Sequence, residues 1–491
     1  MSLPAEIYAV ADVRKIDHAA INDAGISGYA LMTRAAQAAL DAARAEFPDA
    51  KRWQVVCGSG NNGGDGYVLA RLAALQGIGV SVLTLADPET LSGDAATACV
   101  DFAAEGGVLA NFEGVLDDDA ELLVDALLGS GIERDVTGQY AEVITAMNAH
   151  AAPVLALDIP SGLNADSGTV MGKAVRADLT VTFVGLKGGL FLDSGPEYTG
   201  RLCFAGLDIP EECYAGKFAK MRRISSDLVR SALSPRKRDA HKGDFGHVLV
   251  IGGGAGMPGA VRLCGEAALR SGAGLVSIAT DPAHAAFLTV NRPELMSVGV
   301  ANAQDLQPLL EKATIIALGP GLGSNDWSQA MFNAALQSGL PLVVDADALN
   351  LLAATDERRD DWILTPHPGE AARLLDTNNK DIQADRSGAL ASLRQKYGGT
   401  VVLKGSGSLV SSHDGPDWLC SAGNPGMASP GMGDVLTGIV VAMRAQGMAP
   451  ERAAVVAVEI HAQAGDAAAV AGQRGLLASD LLEELRVWVN P

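Results

Sequence analysis

Two glycine-rich acidic loops lie far apart in this chain of 491 residues, and both carry residue types that bind phosphate. The first reads Gly58-Ser-Gly-Asn-Asn-Gly-Gly-Asp-Gly66 and precedes a helix-like run from Tyr67. The second reads Pro430-Gly-Met-Gly-Asp-Val-Leu-Thr-Gly438 and leads into an apolar run. Each places glycines and an acid at a predicted helix N-terminus, where free backbone N–H groups and the helix dipole favour phosphate. The two loops together predict two phosphate-bearing ligands and two active sites.

Three more residues of the N-terminal half have side chains suited to chemistry. Asp125 and Asp158 close apolar strands, and Lys187 follows another strand between glycines. Because ligands of open α/β sheets bind beyond the carboxyl ends of the strands, we expect these side chains in one crevice. There a carboxylate can stabilise positive charge and a lysine can act as an acid–base group. Taken singly, such an aspartate is more often a turn cap and such a lysine is more often solvated.

The C-terminal half carries the residue types of phosphoryl transfer. In the second loop, backbone amides at a helix start can hold a transferring phosphoryl group, and Asp434 can accept a proton from an attacking hydroxyl. Lys404 follows a strand and begins a glycine turn suited to nucleotide phosphates, although its spacing is not that of a Walker A motif. His367 is as easily a helix cap as a ligand. Asp345 and Asp347 could cap the next helix or help to hold a metal ion.

Short apolar strands alternate with helical segments in both halves, which predicts α/β domains with doubly wound parallel sheets. Residues 11–46 have helical spacing up to Pro48. A polar, locally basic stretch indicates a boundary near 215–225, and we divide the chain into residues 1–220 and 221–491. The predicted strands are residues 55–57, 80–85, 122–125, 154–158 and 179–184, then 248–251, 275–279, 315–318, 342–345, 362–364 and 401–403.

Composition and charge exclude several classes of function. The net charge of −21 opposes a non-specific role on nucleic acid or an anionic membrane. The six cysteines form no CxxC pair, so we expect neither a zinc site nor a disulfide framework. The N-terminus has no signal-peptide pattern, and the apolar stretches are too short to span a membrane. These features predict a cytoplasmic protein.

Residues 10–210 resemble the YjeF N-terminal family, the NAD(P)H-hydrate epimerases. The motifs that carry the resemblance are the Asn-Asn-Gly-Gly-Asp-Gly loop, Val-Asp125-Ala-Leu-Leu-Gly, Asp158-Ile-Pro-Ser-Gly-Leu-Asn and Thr182-Phe-x-Gly-x-Lys187. The resemblance implies a Rossmann-like three-layer domain that interconverts the R and S forms of NAD(P)HX at C6. It implies Asp158 and Lys187 as catalytic residues and a potassium ion near Asn62, Asp125 and Ser161. The substrate-binding residues that it implies are Asn61, Asn62, Gly63, Gly64, Asp65, Gly129, Ser130, Gly131, Ile132, Glu133, Arg134, Asp135 and Asp158.

Residues 240–490 resemble the ribokinase-like superfamily, and specifically the NAD(P)H-hydrate dehydratases. The matching motifs include Gly-Pro-Gly-Leu-Gly323, Leu-Thr-Pro-His-Pro-Gly-Glu370 and Gly-Met-Gly-Asp-Val-Leu-Thr-Gly438. The resemblance implies ADP or ATP as phosphoryl donor, with Mg²⁺ expected beside the nucleotide, and Asp434 as the base. The implied hydrate-binding residues are Ala260, Gly323, His367 and Asp434. The implied nucleotide-binding residues are Lys404, Gly405, Ser406, Gly407, Ser408 and Gly433.

Together the two resemblances predict a bifunctional repair enzyme for hydrated nicotinamide cofactors. Its partners would be NADHX or NADPHX and an adenine nucleotide, and we expect a homo-oligomer. ADP versus ATP, and NADHX versus NADPHX, stay open. The alternative is a ribokinase-like small-molecule kinase of the vitamin-precursor type, fused to a YjeF-type domain that acts as a binding scaffold.

Overall fold

The computed structural model describes residues 3–490, and the chain forms two compact units that divide after Met221. Unit 1 comprises the residues up to Met221, and unit 2 those from Arg222 onward. Each unit alternates strands with helices, as the sequence predicts.

Unit 1 is built on a seven-stranded parallel sheet whose order is β4-β3-β2-β5-β6-β7-β9. The short strands β1 and β8 pair with each other in parallel. The central strands are buried along their length, which explains their continuous apolar sequence. The strands are β1 (Glu6–Tyr8), β2 (Arg52–Cys57), β3 (Gly79–Thr84), β4 (Leu109–Asn111), β5 (Leu122–Ala126), β6 (Val154–Leu157), β7 (Leu179–Phe183), β8 (Leu186–Lys187) and β9 (Arg201–Ala205).

The helical run expected over residues 11–46 is two helices. Gly25 has a φ of 71° and turns the chain between them, and the Ser27 hydroxyl caps the second helix by accepting from Ala30 N. The helices of unit 1 are α1 (Val10–Asn22), α2 (Gly28–Glu46), α3 (Asn61–Leu75), α4 (Gly93–Ala104), α5 (Gly138–Ala149) and α6 (Gly195–Thr199).

Helix α3 begins at Asn61, so the first glycine-rich motif forms the start of the helix and not a loop before Tyr67. Glycine has a low helix propensity, but residues with side chains would not fit at two of these positions. A Cβ on Gly63 would lie 2.2 Å from the Gly58 carbonyl oxygen, and one on Gly66 would lie 2.5 Å from the Ala126 Cβ. Close packing of α3 on the sheet therefore outweighs the local preference.

The sheet of unit 2 has the order β13-β12-β11-β14-β15-β16-β17-β18-β19. The strands from β13 to β17 are parallel, and β18 and β19 continue the sheet antiparallel. A short strand β10 (Met221–Arg223) begins this part of the chain. The others are β11 (His247–Ile251), β12 (Leu275–Thr280), β13 (Met296–Gly299), β14 (Ile315–Leu318), β15 (Leu342–Val344), β16 (Trp362–Leu364), β17 (Thr400–Leu403), β18 (Ser408–Val410) and β19 (Asp417–Cys420).

In the described part of unit 2, which ends at residue 490, twelve helices accompany this sheet. Among residues 3–490, the stretch Pro450–Ala471 is long and apolar enough to cross a membrane, but more than half of it is buried in the protein core. The helices are α7 (Ser226–Ala232), α8 (Pro258–Arg270), α9 (Ala285–Leu288), α10 (Ala303–Leu310), α11 (Asp326–Gln337), α12 (Ala346–Leu352), α13 (Pro368–Leu374), α14 (Asn379–Ala384), α15 (Arg386–Tyr397), α16 (Met432–Ala445), α17 (Pro450–Ala468) and α18 (Ala478–Trp488).

Candidate active sites

A cavity of about 950 Å³ opens in unit 1 beyond the carboxyl ends of β2, β5 and β6. Most of the residues predicted for the N-terminal site line it, which is the placement expected for a ligand of a parallel sheet. Gly63 and Gly64 do not line it, because they are buried in the first turns of α3. The predicted residues that do are Asn61, Asn62, Asp65, Gly129, Ser130, Gly131, Ile132, Glu133, Arg134, Asp135, Asp158 and Lys187.

Lys187 and Asp158 form an ion pair at the cavity wall. Lys187 is 1% exposed, and besides Asp158 Oδ1 it donates to Thr182 Oγ1 at 3.0 Å and to the Phe183 carbonyl at 3.1 Å. These bonds use all three N–H groups of the ammonium. Asp158 has a φ of 64°, an unusual backbone conformation for a residue with a side chain, and within residues 3–490 its Oδ2 accepts no hydrogen bond. The pair therefore presents one free carboxylate oxygen, and the lysine holds the carboxylate in place.

Asp125 and Ser161 lie fully buried and do not line the cavity. Asp125 accepts from the Ser161 hydroxyl at 2.5 Å and from the Ser161 amide at 2.7 Å. Burial raises the pKa of Asp125 to about 6, against the lowering effect of these bonds. Asn62 donates to the Leu128 carbonyl at 3.1 Å, but its buried Oδ1 has no partner among the described residues. Amide, hydroxyl, carbonyl and carboxylate oxygens thus lie together below the cavity.

Sequence reasoning predicted a helix at α1 but missed two charged residues of that helix that line the cavity. Arg14 and Asp17 both lie on α1 and line the cavity. Burial raises the pKa of Asp17 to about 6, and the nearby Lys187 and Asp158 charges act on it in opposite directions. Burial also raises the pKa of Asp65 well above its usual range, with Asp158 and Asp17 adding to the effect. Arg14 and Asp17 are three residues apart, which is about one helical turn, and this spacing could have placed both on the same face of the helix.

In unit 2, a buried carboxylate joins three elements. Asp345, 1% exposed, accepts from Lys404 Nζ at 2.7 Å and from the Thr437 hydroxyl at 2.7 Å. Glu370 Oε2 lies 3.9 Å from the same ammonium. The side chain of Asp345 makes no capping hydrogen bond to α12, and within residues 3–490 it belongs to no group of three or more metal-binding side chains. Burial alone would lower the pKa of Lys404, but the two acids raise it.

The second glycine-rich motif starts α16, as predicted. Gly431 has a φ of 91°, which favours glycine, and a Cβ on Gly433 would lie 3.2 Å from Lys404 Nζ. The ammonium thus lies beside the free amides of the helix N-terminus. Burial raises the pKa of Asp434 to about 7, with the negative charge of Asp345 as the next cause.

The predicted nucleotide loop after β17 is held by a buried arginine. Arg386 donates to the Leu403 carbonyl at 3.3 Å and to the Gly407 carbonyl at 3.0 Å. Within the loop, the Ser408 hydroxyl donates to the Gly405 carbonyl at 3.0 Å. Gly405 has a φ of 144°, which favours glycine, and a Cβ there would lie 2.4 Å from Arg386 Nη1. Sequence reasoning missed Arg386, which lies 18 residues before Lys404 and has no motif around it.

The predicted hydrate-binding residues of unit 2 follow neighbouring strands. Gly323 donates its amide to Asp347 Oδ2 at 2.8 Å, and Ala260 lies in the first turn of α8, where its Cβ would be 3.1 Å from a Cβ on Gly321. His367 caps α13 by accepting from the Gly369 amide at 3.0 Å. Burial lowers the pKa of His367, helped by the nearby positive charge of Lys404. Its neutral ring is therefore held at the edge of the same site.

Known families and proteins resemble both halves of the chain. The family model described as YjeF-related protein N-terminus matches residues 28–189, and the one described as NAD(P)H-hydrate dehydratase matches residues 248–486. A solved ribokinase-like superfamily protein of Enterococcus faecalis is 29% identical, with a TM-score of 0.52 over 56% of this chain and 98% of its own. This likeness confirms the ribokinase-like fold predicted from sequence.

Full-length relatives distinguish the two hypotheses of function. A bifunctional NAD(P)H-hydrate repair enzyme of Coxiella burnetii is 48% identical over 99% of both chains. One of Escherichia coli K12 is 42% identical over 100% of this chain and 95% of its own. These matches favour the repair enzyme over a vitamin-precursor kinase fused to a scaffold. The chain belongs to the family of bifunctional NAD(P)H-hydrate repair enzymes.

Proposed function

We propose that unit 1 epimerises R and S NAD(P)HX and that unit 2 dehydrates the S form to NAD(P)H. The observation that carries this division is that each unit has its own site of fitting chemistry. Unit 1 has a cavity with a free carboxylate oxygen, and unit 2 has an anion-binding helix start between a lysine and a carboxylate with a raised pKa.

In unit 1 the reacting carbon, C6, carries both the hydroxyl group and the ring nitrogen. With a proton from an acid, the nitrogen lone pair can expel the hydroxyl as water, which leaves an iminium cation. Water then attacks this cation from either face and gives a proton to a base. Asp158 supports this step because its carboxylate, paired with Lys187 at the cavity wall, can stabilise the developing positive charge. Lys187 holds Asp158 in its unusual backbone position and keeps one oxygen aimed away from the pair.

A potassium ion fits the oxygens below this cavity. The orphaned Oδ1 of Asn62, the Asp125 carboxylate and the Ser161 hydroxyl are of the donor types that bind K⁺ in proteins. We propose that these residues hold the ion, which would order the turn after β5 and contribute positive charge for substrate phosphate.

Replacing K⁺ by choline at equal ionic strength should lower the thermal midpoint of the wild type but not of Asn62→Ala. Equal midpoints in both salts for the wild type would count against the site.

In unit 2, we propose that Asp434 accepts the proton of the C6 hydroxyl as its oxygen attacks the terminal phosphorus of ADP or ATP. The bond from that phosphorus to the nucleotide breaks, and the amides at Gly433 and the Lys404 ammonium neutralise the transferring group. Phosphate then leaves C6 while the adjacent carbon loses a proton, and the ring double bond of NAD(P)H is restored. Mg²⁺ would bind with the nucleotide and neutralise its phosphates.

Cellular location and assembly are further parts of the proposal. The net charge of −21 disfavours association with nucleic acid and anionic membranes, which supports work in the cytoplasm. We propose a homo-oligomer, which light scattering of the purified chain would test.

Absorbance of the regenerated cofactor tests both activities in one chain. A mixed-epimer NADPHX preparation is incubated with ADP, with ATP or without nucleotide. We expect complete conversion that requires a nucleotide, a stop after the S fraction in Asp158→Asn, and no conversion in Asp434→Asn. A stable phosphorylated product without cofactor would instead indicate a kinase, and a wild type that stops after the S fraction would contradict epimerisation.

A further inference from the structure

We propose that Asp17, on α1, is the second proton-handling residue of the epimerase site and serves the ring face that Asp158 does not serve. The inference rests on the proposed epimerase function of unit 1. It assigns a catalytic role to a helix that ends before residue 28, where the matched family region begins.

Epimerisation at C6 needs proton transfer on both faces of the ring. The hydroxyl leaves one face as water, which requires a proton from an acid, and the C6–O bond electrons depart with it. Water then attacks the other face of the iminium ion and gives a proton to a base. One turnover therefore deprotonates one group and protonates another, and the reverse turnover or solvent exchange restores both.

The Asp158–Lys187 pair can exchange protons with substrate from one side of the cavity. All three N–H groups of Lys187 are already bonded, to Asp158, Thr182 and Phe183. Direct transfer from the lysine would break one of these buried bonds and leave its buried partner unpaired, which is unfavourable. The free Oδ2 of Asp158 is the remaining atom of this pair that can exchange a proton with substrate. A second group has to reach the cavity from another element.

Asp17 meets the structural requirements for that second group. It lines the cavity from α1, whereas Asp158 reaches it from the end of β6. Within residues 3–490 no hydrogen bond fixes its carboxyl group, so both oxygens are available to substrate. The charged and titratable groups around it are Lys187, Asp158, Asp65 and Tyr214 from other elements, and Arg14 one turn earlier on α1.

The surrounding charges distinguish Asp17 from Asp65, another carboxyl group that lines the cavity. Burial raises the pKa of Asp17, and the positive charge of Lys187 opposes this rise, so the pKa lies at about 6. Both protonation states are then populated near neutral pH, as a group that gives and takes protons requires. The pKa of Asp65 is raised well above its usual range, with no positive group among its causes. The protonated form of Asp65 is therefore favoured, and that form can donate a hydrogen bond to substrate.

The test compares Asp17→Asn with Asp12→Asn on the same helix. Asp12 pairs with the exposed Lys15 at 2.8 Å and does not line the cavity, so its variant is the matched control. Conversion of purified R-NADPHX to NADPH requires both units, whereas conversion of S-NADPHX requires unit 2. We expect Asp17→Asn to lower kcat for the R form about 100-fold or more with little change in KM. The rate with the S form, and both rates in Asp12→Asn, should stay at wild-type values.

Exchange of oxygen with H₂¹⁸O separates a catalytic from a structural role. In Asp17→Asn, the Asp158 side can still expel and re-add water on one face. We therefore expect one epimer to gain ¹⁸O with retained configuration while interconversion is lost. Near-normal interconversion, or equal loss of exchange and interconversion, would overturn the role of Asp17. Absence of both in the wild type would instead remove the proposed function of unit 1.

Discussion

The Lys404 ammonium lies 2.7 Å from one oxygen of Asp345, and the other oxygen of that carboxylate accepts from the Thr437 hydroxyl at 2.7 Å. A single buried carboxylate thus links the ends of β15 and β17 to the second turn of α16. Because Thr437 lies one turn after Gly433, Asp345 positions the lysine relative to the amides that would receive phosphate.

Asp345→Asn should therefore damage unit 2 although the side chain keeps its shape. Removing one partner of a buried ion pair costs up to about 3–5 kcal/mol of stability, because the other charge stays buried. We expect a lowered thermal midpoint and a fall of about 100-fold in kcat for S-NADPHX, since Lys404 is no longer held. The exposed Asp326→Asn is the matched control. An unchanged kcat in a folded Asp345→Asn would show that this positioning is unnecessary.

The dehydratase rate should fall as the pH drops below about 7. Burial and the charge of Asp345 raise the pKa of Asp434 to about 7, and the proposed base acts in its ionised form. Removing the negative neighbour in Asp345→Asn lowers this pKa, so the acidic limb should move to lower pH. The measurement is kcat/KM for S-NADPHX against pH at saturating nucleotide. A limb at the same pH in both proteins would contradict the coupling.

Gly63→Ala should destabilise unit 1. The added Cβ would lie 2.2 Å from the backbone oxygen of Gly58, and backbone atoms cannot move aside as a flexible side chain can. We expect a loss of about 1–3 kcal/mol or more in the free energy of unfolding. Gly60→Ala is the control, because its Cβ would meet nothing within 4 Å. Equal urea midpoints for the two variants would contradict this packing argument.

Arg386→Lys should weaken nucleotide binding. One guanidinium nitrogen of Arg386, Nη2, donates to both the Leu403 and the Gly407 carbonyls. The shorter lysine side chain would not hold its ammonium group there, so the loop between them loses its support. We expect the KM for nucleotide to rise about 10-fold, which is about 1.4 kcal/mol. Arg394→Lys serves as the control because that arginine lies on the same helix and contacts Ser412, outside the loop. A KM equal to that of the control would mean that the loop holds its shape unaided.

The sequence by itself predicted the central strands of both sheets, the helix start at the second motif and most of the polar loop residues of the cavity. It did not predict the strands β4, β9 and β13 at the sheet edges or the antiparallel strands β18 and β19. The correct predictions were possible because parallel strands are short apolar runs, and ligand-binding residues follow their carboxyl ends. Asp158, Asp434 and Lys404 each stand directly after such a run or at a helix start. Both the chemical type of these residues and their place in the fold can therefore be predicted from the local sequence.

Only the tertiary structure decided which of these residues touch. Asp345 and Lys404 are 59 residues apart, and no local pattern shows that they share a bond. Helix α3 begins at Asn61 although its first turns contain several glycines, which have a poor helix propensity. Close packing of these turns leaves no space for side chains, and this packing outweighs the local preference. Asp17 has no motif around it, and its raised pKa arises from burial beside groups on other elements. Contacts between distant segments, and the loss of water that they cause, set these properties.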